Sequence, residues 1–124
     1  MLTGKIVLLG FAALVLAGCA MTSRYDGYTK QHFAAKDQYF NVNIYSQSQP
    51  LRADKPYYVI GKVSVEGFAS DGVTPQTLTD RAKRIARLKG ADAIINVKTE
   101  EFRYYNGDTL LRFLGELIVF APGK

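Results

Sequence analysis

Side chains that could do chemistry are few in this 124-residue chain: one cysteine, Cys19, and one histidine, His32. A single thiol makes no intramolecular disulfide, and no second Cys or His lies near it to complete a metal site. His32 has no Ser, Cys or carboxylate placed to form a nucleophile–base pair, so it reads as a solvent-exposed tether residue. Glu100 and Glu101 are adjacent, and adjacent side chains on a strand point to opposite faces. They cannot act together as general acid and base; as charges on a strand they discourage edge pairing. Gly61, Gly67, Gly72 and Gly90 are not spaced as a phosphate-binding loop. The expectation is a protein that is not an enzyme, with no catalytic residue, no metal ligand and no cofactor.

One cluster stands out by charge. Arg81, Lys83, Arg84, Arg87 and Lys89 fall within nine residues, against Asp80 alone. Such a face can meet anionic lipid headgroups, lipopolysaccharide phosphates or an acidic protein patch. It is also what the solvated side of any amphipathic helix looks like. The aromatics Phe102, Tyr104 and Tyr105 leave a similar choice between a contact surface and cross-strand packing.

The position of Cys19 is more telling than its chemistry. Lys5 supplies a positive n-region, and Ile6 to Leu16 form an uninterrupted apolar run. That run has the length of a signal-peptide core and is short for a membrane span. Leu16-Ala17-Gly18-Cys19 follows, and it resembles the lipobox of bacterial lipoproteins at every position. The resemblance implies cleavage before Cys19 and acylation of both its thiol and the new N-terminus. Two or more acyl chains, at ~0.8 kcal/mol per buried methylene, anchor a protein stably. Ala20, rather than Asp, implies the outer membrane in the enterobacterial sorting pattern.

The chain therefore divides into a signal (1–18), a lipidated N-terminus and linker (19–38), and a single domain (39–124). Only Lys5 among the basic residues lies in the signal, so fifteen Lys and Arg against eleven Asp and Glu leave a mature charge of +4. That excess is too small to argue nucleic-acid binding, and export removes nucleic acid as a partner. Without a cysteine pair, core packing alone must hold the fold.

Residues 20–38 lack sustained periodicity. Tyr39–Ser46 alternates, with Phe40, Val42 and Ile44 on one side, and reads as a half-buried strand. Tyr57–Phe68 is a second strand, with Tyr57, Val59, Val63 and Val65 sharing a face. Thr74 can cap a helix that has Pro75 at its first position and runs to Lys89, with Gly90 as its stop. Leu78, Ala82, Ile85, Ala86 and Leu88 form its apolar stripe. A third strand follows, with Ala93, Ile95, Val97 and Thr99 toward the core. Asn106-Gly107 predicts a hairpin with a type I′ turn or a close relative, and Thr109–Ala121 is the last strand, with Leu111, Phe113, Leu117 and Val119 on one face.

This order predicts an α+β domain in two layers: a small antiparallel sheet, β-β-α-β-β, with one helix packed on a face. Ile60, Ile94, Leu114, Ile118 and Phe120 then fall on the opposite face. That is too much apolar surface to leave in water, so it should meet the N-terminal strand, another subunit or a partner.

YYVIGKVSVEG, the helix and GADAIINVK together resemble the YbjQ-like domains, a family named for heavy-metal binding. The resemblance implies a β-α-β-β fold and ring-like oligomers. The run NIYSQSQPLRADKPYYVIGKVS is similar to the stress-sensing outer-membrane lipoproteins of the Rcs pathway. Those sensors carry paired cysteines that this chain lacks, and no Cys or His follows His32 to supply a metal site. Neither the disulfide nor the metal is carried over. The expected protein is a lipid-anchored cell-envelope module facing the periplasm, with a protein partner or self-association, acting in interaction, scaffolding or sensing. A small-ligand or metal-ion binding oligomeric module is the alternative.

Overall fold

The computed structural model describes residues 21–51 and 56–121; Cys19 and the signal segment lie outside them. Among the described residues, five strands form one sheet: β1 (Thr22–Gly27), β2 (Asn43–Ser46), β3 (Tyr57–Phe68), β4 (Ala93–Arg103) and β5 (Thr109–Phe120). Their order across the sheet is β1-β3-β5-β4-β2. The one α-helix among the described residues, α1 (Pro75–Leu88), packs on one face, after a 3-10 turn at Ala69–Asp71. The fold is α+β, as expected.

The helix ends are as the residue types dictate. The Thr74 hydroxyl accepts a hydrogen bond from the Thr77 amide (3.2 Å), and the Thr77 hydroxyl accepts one from the Thr74 amide (2.9 Å). This reciprocal box satisfies two otherwise orphaned donors. At the other end Gly90 is left-handed (φ 78°). Its amide donates to Arg87 O, and the Ala91 amide donates to Ala86 O, which closes a Schellman cap. A Cβ at position 90 would also lie 2.6 Å from Ala34 O. Only glycine satisfies both the conformation and the space there.

Three expectations about the sheet need correction. First, it is mixed rather than antiparallel: β2 runs parallel to β4, with Asn43 opposite Ala93. β2 lies at the edge beside β4, whereas β3 lies between β1 and β5, so the two do not form a hairpin.

Second, the segment expected as a linker is part of the fold from residue 21 on. Met21 packs against the core, and β1 pairs antiparallel with β3, Thr22 opposite Glu66 and Gly27 opposite Gly61. Residues 29–42 then run past the end of α1. There the Lys36 amide donates to Arg87 O, and Lys36 Nζ pairs with Asp92 at 3.0 Å. β1 shows no apolar alternation because it is an edge strand, with only Tyr25 half-buried.

Third, two bulges change which side chains share a face. The β3–β5 register slips between Val59 and Gly61, and the β4–β5 register slips between Ile95 and Lys98. Asn96, at φ 53°, sits in the second slip. A bulge inverts the alternation beyond it. Ile60 and Ile94 therefore join Val63, Val65, Val97, Leu111, Phe113 and Leu117 under the helix. Val59, Ala93 and Ile95, expected under the helix, instead pack on the other face with Ile118, Tyr45, Leu51 and Phe120.

The β4–β5 hairpin forms where Asn106-Gly107 predicts it, but the turn differs. Gly107 alone is left-handed (φ 87°), its amide donates to Tyr104 O, and the Tyr104 amide donates to Asp108 O. That is the three-residue hairpin loop with a glycine bulge, not a type I′ turn.

Candidate functional site

α1 presents its cations away from the sheet. Leu78, Ala82 and Ala86 are buried against the strands. Arg84 is exposed, and Lys83 and Arg87 are half-exposed beside it. Lys83 and Arg87 are one helical turn apart, where like charges destabilise a helix by a few tenths of a kcal/mol (~0.2–0.5). Among the described residues, neither they nor Arg84 reach a carboxylate at ion-pair distance. Asp80, the nearest acid in the sequence, accepts from Gln76 instead (2.8 Å). The negative end of the helix dipole offsets part of the repulsion at Arg87.

The two outer members of the cluster are used locally. Arg81 Nη1 lies 3.5 Å from Ser23 Oγ on β1, and Lys89 Nζ sits 4.9 Å above the Tyr25 ring. Leu88, expected in the buried stripe, is 62% exposed because at 3.6 residues per turn it falls to the side of the Leu78–Ala82–Ala86 line.

Leu88 helps line an open cleft of about 570 Å³ between the end of α1 and the chain leaving β1. Tyr25, Lys30, His32, Phe33, Leu88 and Lys89 are among its lining residues. The Tyr25 hydroxyl donates to Ile60 O at 3.1 Å, and burial, helped by the neighbouring Tyr28, holds its phenol above the ordinary range. His32, read from sequence as a tether residue, thus stands at a cleft mouth with two lysines. Nothing in the linear pattern signals this, because the cleft is built from three separate segments.

The five residues expected as an apolar interface do not form one. Ile60 and Ile94 are in the helix-side core, and Ile118 is fully buried in the second cluster, with Phe120 half-buried against it. Leu114 lies apart, half-buried among Lys62, Glu66, Arg112 and Glu116. Next to it the face carries charges, and toward the hairpin it carries Leu110, which is buried, with Phe68 and Phe102 opposite it. Arg112 stands between Glu66 (3.6 Å) and Glu100 (3.7 Å), with its guanidinium 4.8 Å above the Phe102 ring. Glu100 also meets Lys98 (3.5 Å), so it acts in a surface charge network, and Glu101 is exposed.

The hairpin aromatics divide between packing and exposure. The Phe68 and Tyr104 rings meet edge to face at 5.4 Å, while Tyr105 projects fully into solvent. The turn is fixed by Asp108, whose carboxylate accepts from the Ser70 hydroxyl (2.7 Å) and the Thr109 amide (2.8 Å). The Ser70 hydroxyl is the main reason its carboxyl is held below the usual range.

Among the described residues no three His, Cys, Asp or Glu side chains group closely enough to hold a metal ion. None of the described helices is long and apolar enough to cross a membrane.

No family model matches the chain, and no curated protein matches it. Among solved structures, the crystal structure of the Francisella virulence factor FvfA, in an orthorhombic form, is similar. The TM-score is 0.53 at 15% sequence identity, over 77% of this chain and 96% of that one. At that identity the likeness is one of fold.

Proposed function

We propose that this chain is a lipid-anchored cell-envelope protein whose α+β domain is an interaction module, docking an acidic partner on the basic face of α1. The reading rests on one arrangement: the position of the lipobox cysteine relative to Lys83, Arg84 and Arg87. Cys19 precedes the first sheet residue, Thr22, by three positions. Lys83, Arg84 and Arg87 lie in the C-terminal half of α1, which runs back from the 3-10 turn at the end of β3. Thr22 is level with Glu66 near that end of β3, whereas the C-terminus of α1 leads into β4 beside Gly90. The basic face thus starts within one turn of Arg81, which reaches Ser23, and runs from there toward the end of the domain away from an anchor at Cys19. A partner in the aqueous compartment fits that placement better than the headgroups of the protein's own membrane. Charge complementarity would steer such a partner and set its orientation.

The test is photo-crosslinking in native envelopes from a probe at Arg84, run with Cys19 intact and with Cys19→Ser. The expected result is one discrete protein adduct, together with loss of the chain from the membrane fraction in Cys19→Ser. A wild-type chain that is found in the soluble fraction, or a probe at Arg84 that captures nothing, overturns the reading.

A second reading draws on the cleft. Lys30, His32 and Lys89 around its mouth suit a small anion. Calorimetric titration with small anionic metabolites separates the two, since stoichiometric binding abolished by Lys89→Ala places a ligand there.

A further inference from the structure

We infer that the β4–β5 hairpin is a second membrane contact, with Tyr105 and Tyr104 lying in the phospholipid headgroup layer beside the lipid on Cys19. This rests on the lipid-anchor reading above and adds to it the surface that faces the bilayer.

The argument is one of reach. Met21 packs against the core, so the chain is fixed two residues after Cys19. Two residues span at most roughly 7 Å, which holds the domain against whatever surface the acyl chains enter. The direction follows from the register. Thr22 is opposite Glu66, and Glu66 is opposite Arg112. β1 therefore runs parallel to β5, and its N-terminal end at Thr22 faces the hairpin end of β5, from Arg112 toward Thr109. Cys19 is three residues before Thr22, a reach of roughly 10 Å. Thr109 is three residues from Arg112, also roughly 10 Å at ~3.3 Å per residue. An anchor at Cys19 can thus reach the plane of the hairpin. Sideways they are separated by two to three strand spacings, roughly 12 Å, since β1, β3, β5 and β4 are successive neighbours.

The side chains at that plane suit an interface. Tyr105 is fully exposed at the tip, and Tyr104 is 45% exposed with its ring braced on Phe68. Tyrosine settles at headgroup level because its ring is apolar and its hydroxyl is wet. Arg103, also exposed, can meet lipid phosphates, while the Asp108 carboxylate is drawn back onto Ser70 and Thr109. Asn106 and Gly107 complete the tip with no charge.

The absence of tryptophan from the sequence gives a clean test. Lipidated mature protein carrying Tyr105→Trp is placed in phosphatidylethanolamine–phosphatidylglycerol vesicles containing brominated acyl chains. Tyr39→Trp, on the segment that leads to β2 and 85% exposed, is the comparison. Both sites are exposed, so circular dichroism should show an unchanged fold, and mass spectrometry reports whether Cys19 is acylated. The expected result is blue-shifted emission from the Tyr105→Trp protein, about half of it or more lost to the bromolipid, with emission from the Tyr39→Trp protein unaffected. Acylated Tyr105→Trp protein that is not quenched, or is quenched no more than Tyr39→Trp, overturns the hairpin contact and leaves the anchor standing. Unmodified Cys19 overturns the anchor and the hairpin contact together.

Discussion

On the helix side of the sheet, Val63, Val65, Phe113 and Leu117 are sealed by α1 and run the length of the strands. On the other side the same strands carry two different surfaces. One end holds a compact cluster, Ala93, Ile95 and Ile118, closed by Val59, Phe120, Tyr45 and Leu51. Toward the other end is a field of charges around Arg112, edged at the hairpin by Leu110, Phe68 and Phe102. A one-helix α+β domain can thus stabilise its second face without a second layer. It needs only a small apolar plug at one end, built by an edge strand and a loop, and partly solvated ion pairs flanked by a few hairpin side chains at the other. The contrast also bears on partners: the face that from sequence most needed covering is already closed at its apolar end.

The strongest test of that contrast is to remove one side chain from each cluster. Phe113→Ala should destabilise the domain by about 3–5 kcal/mol, the usual cost of deleting a buried aromatic. Ile118→Ala should cost about 2–5 kcal/mol, because Ile118 is as fully buried as the helix-side core. Urea denaturation reads both as a fall in midpoint at constant slope. If Ile118→Ala costs less than about 1 kcal/mol, the second cluster is not a core and the face again requires a partner.

The bulges explain both what is legible in the sequence and what is not. β3, α1 and the hairpin are legible because Thr74-Pro75, Gly90 and Asn106-Gly107 are local signals that need no knowledge of the rest of the chain. The faces of β3 and β4 are not, because alternation counted straight through Ile60 and Asn96 runs past both slips. One slipped residue there moves Ile60 and Ile94 to one side and Val59, Ala93 and Ile95 to the other. β1 escapes sequence reasoning because an edge strand with one half-buried residue has no pattern to show. Of the site, the cations of α1 are visible as a cluster. That Arg81 and Lys89 are occupied by Ser23 and Tyr25 depends on the strand that shows no pattern.

Asn96 itself offers a finer test. Its φ of 53° is accessible to Asn and Gly but strained for a β-branched residue, and its side-chain amide donates to Glu116 at 2.8 Å. Asn96→Val should therefore cost about 1–3 kcal/mol, chiefly as backbone strain. Asn96→Gly keeps the conformation and loses only an exposed hydrogen bond, so it should cost less than about 1 kcal/mol. Thermal unfolding of the two variants separates the terms. Equal losses would mean that the bond to Glu116, rather than the backbone, holds the bulge and hence the sorting of the two faces.

The smallest effect is expected at the charged end of the open face. Arg112, Glu66 and Glu100 have side chains 32%, 33% and 29% exposed, and both ion pairs are longer than 3.5 Å. Pairs of this kind contribute about 0.2–1 kcal/mol and are screened by salt. Arg112→Gln should thus lower stability by less than about 1 kcal/mol at low ionic strength, and the difference from wild type should shrink as salt is raised. Part of the residual loss would be the contact between the guanidinium and the Phe102 ring, which salt does not screen away entirely. A cost comparable to that of Ile118→Ala, unchanged by salt, would mean that this end is as dry as the other. The open face would then be a continuous second core, and the division between plug and charged field would fall.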